Sequence, residues 1–292
     1  MIAAMRLSLA RLAALIPAFL AVAAVAAEPE RTGGPYVPTP QVVVDAMLDM
    51  AGVGPRDFVI DLGSGDGRIV LTAAQRYNAR GLGVDIDPEL VKGSNAEARK
   101  RGLAERVTFR EQDVLQTRLE EATVVTLYLL PGMMQQLEAK FVKELKPGTR
   151  IVSHDFPFYQ WKPDREASVD VPEKYGTPGQ WKSTVYYWIV PVRVHGEWTL
   201  EAPGLIAQPV ALTFEQQNQF VRGSATDQGK RINVNGGRIE AERITFKLML
   251  PGGAYEFRGT VEGDRMRGDA VDATRSVPWT ARKAPIASAA AR

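Results

Sequence analysis

The sequence predicts an α/β fold, a doubly wound, Rossmann-like sheet of seven strands, followed by a small antiparallel β barrel or sandwich. Three observations support this prediction. Short apolar segments rich in β-branched residues alternate with amphipathic helical segments between residues 41 and 191. A glycine-rich turn follows the first apolar segment. Beyond residue 192, helical periodicity disappears and short alternating segments are separated by Gly, Asn and Asp.

Residues 1–27 have the layout of a secretory signal peptide. Arg6 and Arg11 are their only charged side chains, and an uncharged segment rich in Ala, Leu and Val ends in Val-Ala-Ala at residues 25–27. The uncharged segment is short for a bilayer span. We therefore expect a periplasmic or secreted protein. The alternatives are an inner-membrane anchor, which would allow membrane association, and a wrongly assigned start codon.

Composition excludes several classes of site. The formal net charge of +2 offers no electrostatic support for nucleic-acid binding. The absence of cysteine excludes disulfides, a thiolate nucleophile and a zinc–thiolate site. The two histidines, His154 and His195, are too few for a histidine-only metal cluster, so no metal is expected.

An extended segment precedes the core at residues 28–40, because its second half is rich in Gly and Pro. Thr39 is a plausible N-cap for an amphipathic helix over residues 41–50 that has Val44, Met47 and Leu48 on one face. Tyr36 lies in the extended segment. It either folds over a bound cofactor or is a packed aromatic in a plain linker.

The core domain is predicted at residues 41–191. Its strands alternate regularly with helices, which is typical of a parallel sheet covered on both faces. Ligands of such sheets bind beyond the carboxyl ends of the strands. The predicted strands are residues 58–62, 81–87, 107–110, 123–130 and 149–154, then 167–171 paired antiparallel with 184–190; the helices are 68–77, 88–101 and 133–145.

The second domain is predicted at residues 192–283, followed by a disordered tail at 284–292. It contains no catalytic cluster, so its expected roles are substrate presentation, envelope attachment or dimerisation. Hairpin turns are predicted at Asn-Gly 235–236, Pro-Gly-Gly 251–253 and Glu-Gly-Asp 262–264. The predicted strands are residues 196–200, 210–215, 219–224, 231–235, 237–241, 243–250, 254–261 and 265–269.

The turn after the first core strand has the sequence Asp-Leu-Gly-Ser-Gly-Asp-Gly at residues 61–67. Its spacing is G-x-G-x-G rather than the G-x-G-x-x-G of dinucleotide-binding folds. Asp61 closes the strand just before the glycines, where a carboxylate would repel a pyrophosphate but suit an ammonium group. The alternative is an ordinary tight turn between a strand and a helix.

This turn resembles motif I of the class I S-adenosylmethionine (SAM) methyltransferases, in which the loop holds the methionine part of the cofactor. Asp85 closes the second strand 24 residues after Asp61 and is a candidate to accept hydrogen bonds from the ribose hydroxyls. Asp87 is a weaker candidate, because Asp before Pro often caps a helix. Asp113, after the third strand, is a candidate to bind the adenine amino group.

Further segments resemble the small seven-β-strand protein-lysine methyltransferases known for the ATP synthase c subunit and the adenine nucleotide translocase. These segments are residues 36–40, 61–70, 127–134 and 146–153 with Phe156-Pro157, and the resemblance covers residues 36–190. It implies SAM as the cofactor and N-methylation of a protein lysine. The predicted cofactor-binding residues are Asp61, Gly63, Ser64, Gly65, Asp66, Asp85, Ile86, Asp113 and Val114, with Tyr36 in the loop above them.

Three segments are candidates to contact the methyl acceptor. Residues 129–132, Leu-Leu-Pro-Gly, lack the Asn/Asp-Pro-Pro-Tyr/Phe loop typical of enzymes that methylate amide or base nitrogens, and they can wall a cavity that desolvates a neutral amine. His154 is either a general base or a polar residue at a strand end. The aromatic segment 156–161 either lines a lysine channel through cation–π contacts or belongs to the core.

Three functional hypotheses follow. The first is a SAM-dependent methyltransferase acting on protein lysine. The second is a methyltransferase of a small envelope molecule, such as a lipid or quinone-like compound. The third is a non-catalytic envelope binding protein with a vestigial core, although the intact Asp61, Gly63, Gly65 and Asp85 argue against such decay.

Overall fold

The computed structural model describes residues 34–174 and 176–285. The predicted signal peptide and nearly all of the predicted tail lie outside the described residues. No helix within the described ranges is long and apolar enough to cross a membrane.

The first part of the described chain is a seven-stranded sheet with helices on both faces, which confirms the predicted fold class. The strand order is β3-β2-β1-β4-β5-β7-β6, and β1 to β5 are parallel whereas β7 is antiparallel to β5 and β6. The order reverses at β1, so a crevice opens at its carboxyl end. The strands are β1 Phe58–Leu62, β2 Arg80–Asp85, β3 Val107–Glu111, β4 Val124–Leu127, β5 Arg150–His154, β6 Arg165–Lys174 and β7 Thr177–Ile189; the helices are α1 Gln41–Met50, α2 Arg68–Tyr77, α3 Pro88–Lys100 and α4 Pro131–Glu144.

Alternate residues of each strand face opposite layers of core. On one face, Val59, Val124 and Val152 pack with Val44, Met47 and Leu48 of α1. On the other face, Ile60, Val125 and Ile151 pack with Leu137 and Phe141 of α4. Both layers are buried, which explains why these strands are continuously apolar. The predicted apolar face of α1 is confirmed.

Two local predictions at the edge of the sheet are wrong. Thr39 is not the cap of α1: Pro40 occupies that position without a side-chain hydrogen bond, because its ring fixes φ before the first turn. The fourth strand ends at Leu127 rather than residue 130, since Leu130 is already the N-cap of α4 and Pro131 its first residue.

Strands β6 and β7 form an arm that extends beyond the carboxyl edge of the sheet. Strand β7 pairs with β5 only between Ile189 and Val185, and its preceding residues pair with β6 alone. The β6–β7 register shifts between Val171 and Glu173, as it does at a β-bulge. Strand β6 is the outer strand of the sheet on this side.

The second part of the described chain is a closed barrel of eight antiparallel strands, in the order β10-β11-β12-β13-β14-β15-β8-β9. Inward-facing residues alternate with exposed ones, and the interior is filled by Trp198, Phe214, Phe246, Phe257 and Trp279, all at most 1% exposed. The strands are β8 Gly196–Glu201, β9 Val210–Gln217, β10 Phe220–Asp227, β11 Lys230–Glu240, β12 Arg243–Leu250, β13 Gly253–Glu262, β14 Arg265–Val271 and β15 Ser276–Lys283.

The barrel corrects two predictions. Asn235-Gly236 is not a hairpin turn but lies inside β11, where the pairing with β12 shifts register between Asn235 and Arg238; an Asn-Gly pair suits a bulge as well as a turn. The predicted segments 231–235 and 237–241 are therefore one strand. Strand β15 is absent from the predicted set, because Pro278 interrupts a pattern in which Val277, Trp279 and Ala281 point inward.

A polar network, part of it buried, joins the sheet to the barrel. Asp164 accepts hydrogen bonds from the Ile189 backbone N–H at 3.0 Å and from the Arg238 guanidinium at 2.6 Å. Gln219, which is fully buried, donates to the Lys162 carbonyl at 2.7 Å. These contacts fix β10 and β11 of the barrel beside the last strand of the sheet.

Candidate active site

The glycine turn after β1 has a backbone that only glycine adopts readily at its crowded positions. Gly63 and Gly65 have φ angles of +78° and +54°. A Cβ on Gly65 would lie 2.6 Å from Tyr36 Cε2, and one on Gly63 would lie 2.8 Å from Leu129 Cδ2. The loop is thus enclosed between the segment before α1 and the loop after β4, and its glycines permit this close approach.

Asp85 lies beside this turn at the end of β2. Its Oδ2 accepts a hydrogen bond from the Gly65 N–H at 2.8 Å, and its Oδ1 accepts one from the Asp87 N–H at 3.0 Å. Asp87 itself accepts hydrogen bonds from Glu89 and Leu90 N–H groups and caps α3. The structure therefore gives Asp87 the capping role and leaves Asp85 facing the glycine turn, next to the partly exposed Ile86.

Asp61 is a buried carboxyl group beneath the turn, with 2% exposure. Its Oδ1 accepts a hydrogen bond from Thr126 Oγ1 at 2.7 Å. Burial raises the pKa of Asp61 to about 7, and the charges of Asp85 and Asp66 add to this effect although the Thr126 hydroxyl opposes it. A ligand with an ammonium group would stabilise the ionised form of this carboxyl.

A clamp holds the segment before α1 over the turn. The Arg68 guanidinium binds both carboxylate oxygens of Asp66, at 2.9 and 2.6 Å, and donates to the Thr39 carbonyl at 2.8 Å. Tyr36 lies against Gly65 and is 40% exposed, and partial burial and the Asp66 charge raise the pKa of its hydroxyl. Of the two interpretations of Tyr36, this position matches the one over the predicted cofactor loop.

Asp113 and Val114 lie at the same edge, next to β2. The Gln112 N–H donates to the Asp85 carbonyl at 2.9 Å, so the segment after β3 follows the end of β2. Strand β3 ends at Glu111, and Asp113 is an exposed residue that caps a short 3₁₀ turn by accepting the Leu115 N–H at 2.8 Å. Val114 is buried.

His154 lies at the end of β5 but does not face solvent, being 1% exposed. Its Nδ1 is 3.3 Å from Thr39 Oγ1 and its Nε2 is 2.9 Å from Ser183 Oγ. Its ring packs on Tyr128 with a centroid distance of 4.0 Å. Burial lowers the pKa of His154, and both ring nitrogens are engaged, so this geometry favours a structural role over that of a general base.

The aromatic segment 156–161 belongs mainly to the core. Phe158 and Trp161 are 4% and 1% exposed and pack near Trp188. Tyr159 points outward, with 85% exposure.

Most of the predicted cofactor residues come together at the carboxyl ends of β1 and β2, with Asp113 and Val114 beside them. The Ser64 hydroxyl is buried there and has no hydrogen-bond partner within residues 34–174 and 176–285. Three further residues of this edge were not among the predicted site residues: Arg68, Thr126 and Asp155. Arg68 follows the glycine motif directly, and this adjacency to the predicted cofactor loop is the signal that could have identified it.

A doubly wound sheet with an antiparallel last strand and an acid-flanked G-x-G-x-G turn at its switch point defines a class I SAM-dependent methyltransferase. A family model described as the ANTKMT methyltransferase domain matches residues 61–165. A protein-lysine N-methyltransferase of Saccharolobus islandicus is 40% identical over 157 residues, which are 53% of this chain and 93% of that protein. The chain therefore belongs to this family of protein-lysine N-methyltransferases, whose cofactor is SAM.

Two other similar proteins are both named as methyltransferases, but with different acceptors. The adenine nucleotide translocase lysine N-methyltransferase of Mus musculus is 36% identical over 135 residues, which are 46% of this chain and 58% of that protein. This chain thus spans little more than half of the mouse protein. A solved structure named as an RNA methyltransferase from Salinibacter ruber with S-adenosyl-L-homocysteine is 47% identical, with a TM-score of 0.49, and covers 54% of this chain and 96% of that one.

Proposed function

We propose that this enzyme transfers the methyl group of SAM to the ε-amino group of a lysine in a protein of the cell envelope. The observation that carries the proposal is the enclosed glycine turn, with the carboxyl group of Asp61 beneath it, that of Asp85 beside it and Tyr36 above it. The archaeal relative that bears the name protein-lysine N-methyltransferase and is matched over 93% of its length supports the acceptor class.

The residues present fit SAM. The buried Asp61 would pair with the methionine ammonium, and Asp85, which has one backbone N–H on each oxygen, would accept the ribose hydroxyls with its remaining lone pairs. Asp113 would lie near the adenine amino group. Ser64 supplies a buried hydroxyl within the same loop. When bound, SAM supplies a methyl group on a positively charged sulfur, which a neutral amine can take up.

The chain's own contribution to transfer is orientation and desolvation. Leu129 closes against Gly63, and the 42% exposed Leu130 continues the apolar wall outward. An apolar wall disfavours the charged ammonium form of a lysine and so favours the neutral nucleophile. Because His154 is buried with both nitrogens engaged, we propose that the acceptor gives its proton to solvent.

We further propose that residues 1–27 direct the protein out of the cytoplasm by acting as a signal peptide, or else hold it at the inner membrane. The two arginines followed by an uncharged segment and the Val-Ala-Ala site at residues 25–27 support this. The acceptor would then be an envelope protein.

Calorimetry of the full chain with SAM tests the cofactor site. We expect micromolar binding that Asp85→Ala weakens by about tenfold or more. Asp87→Asn is the matched control, because Asp87 caps α3 and should leave SAM affinity unchanged. A well-folded wild type that binds no SAM would contradict the enzyme assignment and favour a non-catalytic binding protein.

Labelling identifies the acceptor class. Envelope extract incubated with the enzyme and tritiated-methyl SAM should yield label in protein, at lysine. Label that partitions into the organic phase would instead support the lipid or quinone-like acceptor and overturn the lysine proposal.

A further inference from the structure

Asp155 is a fixed carboxylate at the carboxyl edge of the sheet, directly after β5. Its backbone adopts a left-handed conformation with φ of 60°. Its N–H donates to the Thr184 carbonyl at 2.7 Å, and its Oδ1 accepts the Thr184 N–H at 2.9 Å. The side chain is only 11% exposed. These two hydrogen bonds with the Thr184 backbone hold the carboxylate in one position.

The other carboxylate oxygen of Asp155 faces an ammonium group of the same chain. Lys174, on the arm formed by β6 and β7, places its Nζ 2.7 Å from Asp155 Oδ2, and its side chain is 15% exposed. The Nζ also donates to the Lys182 carbonyl at 2.7 Å. Oδ2 nevertheless accepts no hydrogen bond of good geometry within the described residues. The pair is held by charge, and Oδ2 keeps acceptor capacity for an N–H donor.

A continuous line of contacts runs from the glycine turn to this ion pair. Leu129 closes on Gly63, and the adjacent Tyr128 packs on His154 at a centroid distance of 4.0 Å. The His154 Nε2 is in turn 3.4 Å from Asp155 Oδ2. Because β4 and β5 are the strands next to β1 on this side, the ion pair lies at the same edge as the predicted cofactor site.

We propose that the Asp155 carboxylate is the receptor for the acceptor lysine, and that the Lys174 ammonium occupies it until an acceptor arrives. This inference rests on the proposed lysine methylation and names the residue that selects its acceptor. An incoming ammonium can pair with the same carboxylate and donate an N–H to Oδ2. Since a carboxylate stabilises the charged form of an amine, Asp155 captures the acceptor as an ammonium before it loses its proton for transfer.

The arm that carries Lys174 is suited to exchange. Residues 177–184 of this arm pair with no strand of the sheet other than β6, and the β6–β7 register shifts between Val171 and Glu173, just before Lys174. A second lysine on this arm gives a matched control: Lys182 Nζ lies 2.7 Å from Asp170 Oδ1, but the two side chains are 70% and 86% exposed.

Binding of n-butylammonium chloride, followed by NMR titration of the full chain, tests the receptor without knowledge of the acceptor protein. Lys174→Met removes the competing ammonium and should strengthen butylammonium binding by about tenfold relative to wild type. Adding Asp155→Asn should abolish the gain. n-Butanol, which has the same chain without charge, should not bind, and Lys182→Met should behave as wild type.

Asp155→Asn is expected to fold, because Asn can still accept the Thr184 N–H and also tolerates a left-handed backbone. Cooperative thermal unfolding and an unchanged SAM affinity would show this. If the double variant binds butylammonium as well as Lys174→Met does, the inference is overturned.

The same variants separate this inference from the proposed function. With the labelled acceptor in hand, Asp155→Asn should raise KM by about tenfold or more while kcat changes little. An unchanged KM would refute the receptor role even if lysine methylation is established. Conversely, if the enzyme binds SAM but labels no protein, the proposed function is refuted. The butylammonium titration would still decide whether Asp155 binds an alkylammonium.

Discussion

The Gly65 backbone N–H donates a 2.8 Å hydrogen bond to Asp85 Oδ2, which ties the turn after β1 to the end of β2. The second oxygen of Asp85 is held by the Asp87 N–H. The carboxyl ends of β1 and β2 therefore position one carboxylate before any ligand binds. Such preorganisation lowers the entropy lost on binding and explains why an acid at this strand end is suited to recognise a pair of hydroxyls.

Gly65→Ala should weaken SAM binding by about ten- to a hundredfold, because the new Cβ would lie 2.6 Å from Tyr36 Cε2 and push the covering ring away. Calorimetry measures the effect. Gly52→Ala is the control, since Gly52 has a similar φ of 58° but no atom within 4 Å of its added Cβ. It should lower the free energy of unfolding by about 1 kcal/mol and leave SAM affinity unchanged. Equal losses of affinity in both variants would refute the role of Tyr36.

Asp61→Asn should be more stable than the ligand-free wild type at pH 8, by about 4 kcal/mol. Folding raises the pKa of Asp61 from 3.8 to about 7, so its contribution to stability is fully present below 3.8 and is lost as the pH rises through about 7. The difference between the variants, measured by urea unfolding, should vanish by pH 4. Asparagine cannot pair with an ammonium, so the variant should also bind SAM at least about tenfold more weakly. A difference that stays constant with pH would contradict the account.

His154→Asn should remove part of the acid sensitivity of the fold. Burial lowers the pKa of His154, despite the opposing charge of Asp155, so its contribution to stability is present above the unfolded value of 6.5 and is lost as the pH falls toward about 4. Wild type should lose on the order of 2 kcal/mol more than the variant between pH 7 and pH 4.5 in urea unfolding. His195→Asn, at the other histidine, is the control. Loss of methyl transfer by more than about a hundredfold with SAM binding intact would instead identify His154 as a base.

Arg238→Met should lower the free energy of unfolding by about 1–2 kcal/mol, because it leaves the Asp164 carboxylate, whose side chain is 7% exposed, without its 2.6 Å partner. Arg243→Met is the matched control: its 2.9 Å pair with Glu240 is exposed on both sides, so removal should change stability by no more than about 0.5 kcal/mol. Thermal and urea unfolding measure both. If the two variants lose the same free energy of unfolding, the Asp164 network does not hold the barrel to the sheet.

The order of elements in the sheet was predictable because both of its signals are local: apolar periodicity and a glycine turn. Asp61 and Asp85 could be found for the same reason, since each closes its own strand. Contacts across the fold were not predictable in this way. The Asp155–Lys174 pair joins the end of β5 to the arm of β6 and β7, and the clamp of Arg68 on Thr39 joins α2 to the segment before α1. In the barrel, Asn235-Gly236 is compatible with both a turn and a bulge, and only pairing with β12 decides between them.

Strand β6 also affects whether copies of the protein associate through their sheet edges at high concentration. The outer edge of a sheet is a template on which another chain can add a strand, and this can lead to fibrils. In β6 the exposed Pro172 has no N–H to offer, and it lies where the register with β7 shifts. Glu166, Asp170 and Glu173 place negative charges along the same strand. Each of these features disfavours the addition of a strand from a second copy at this edge.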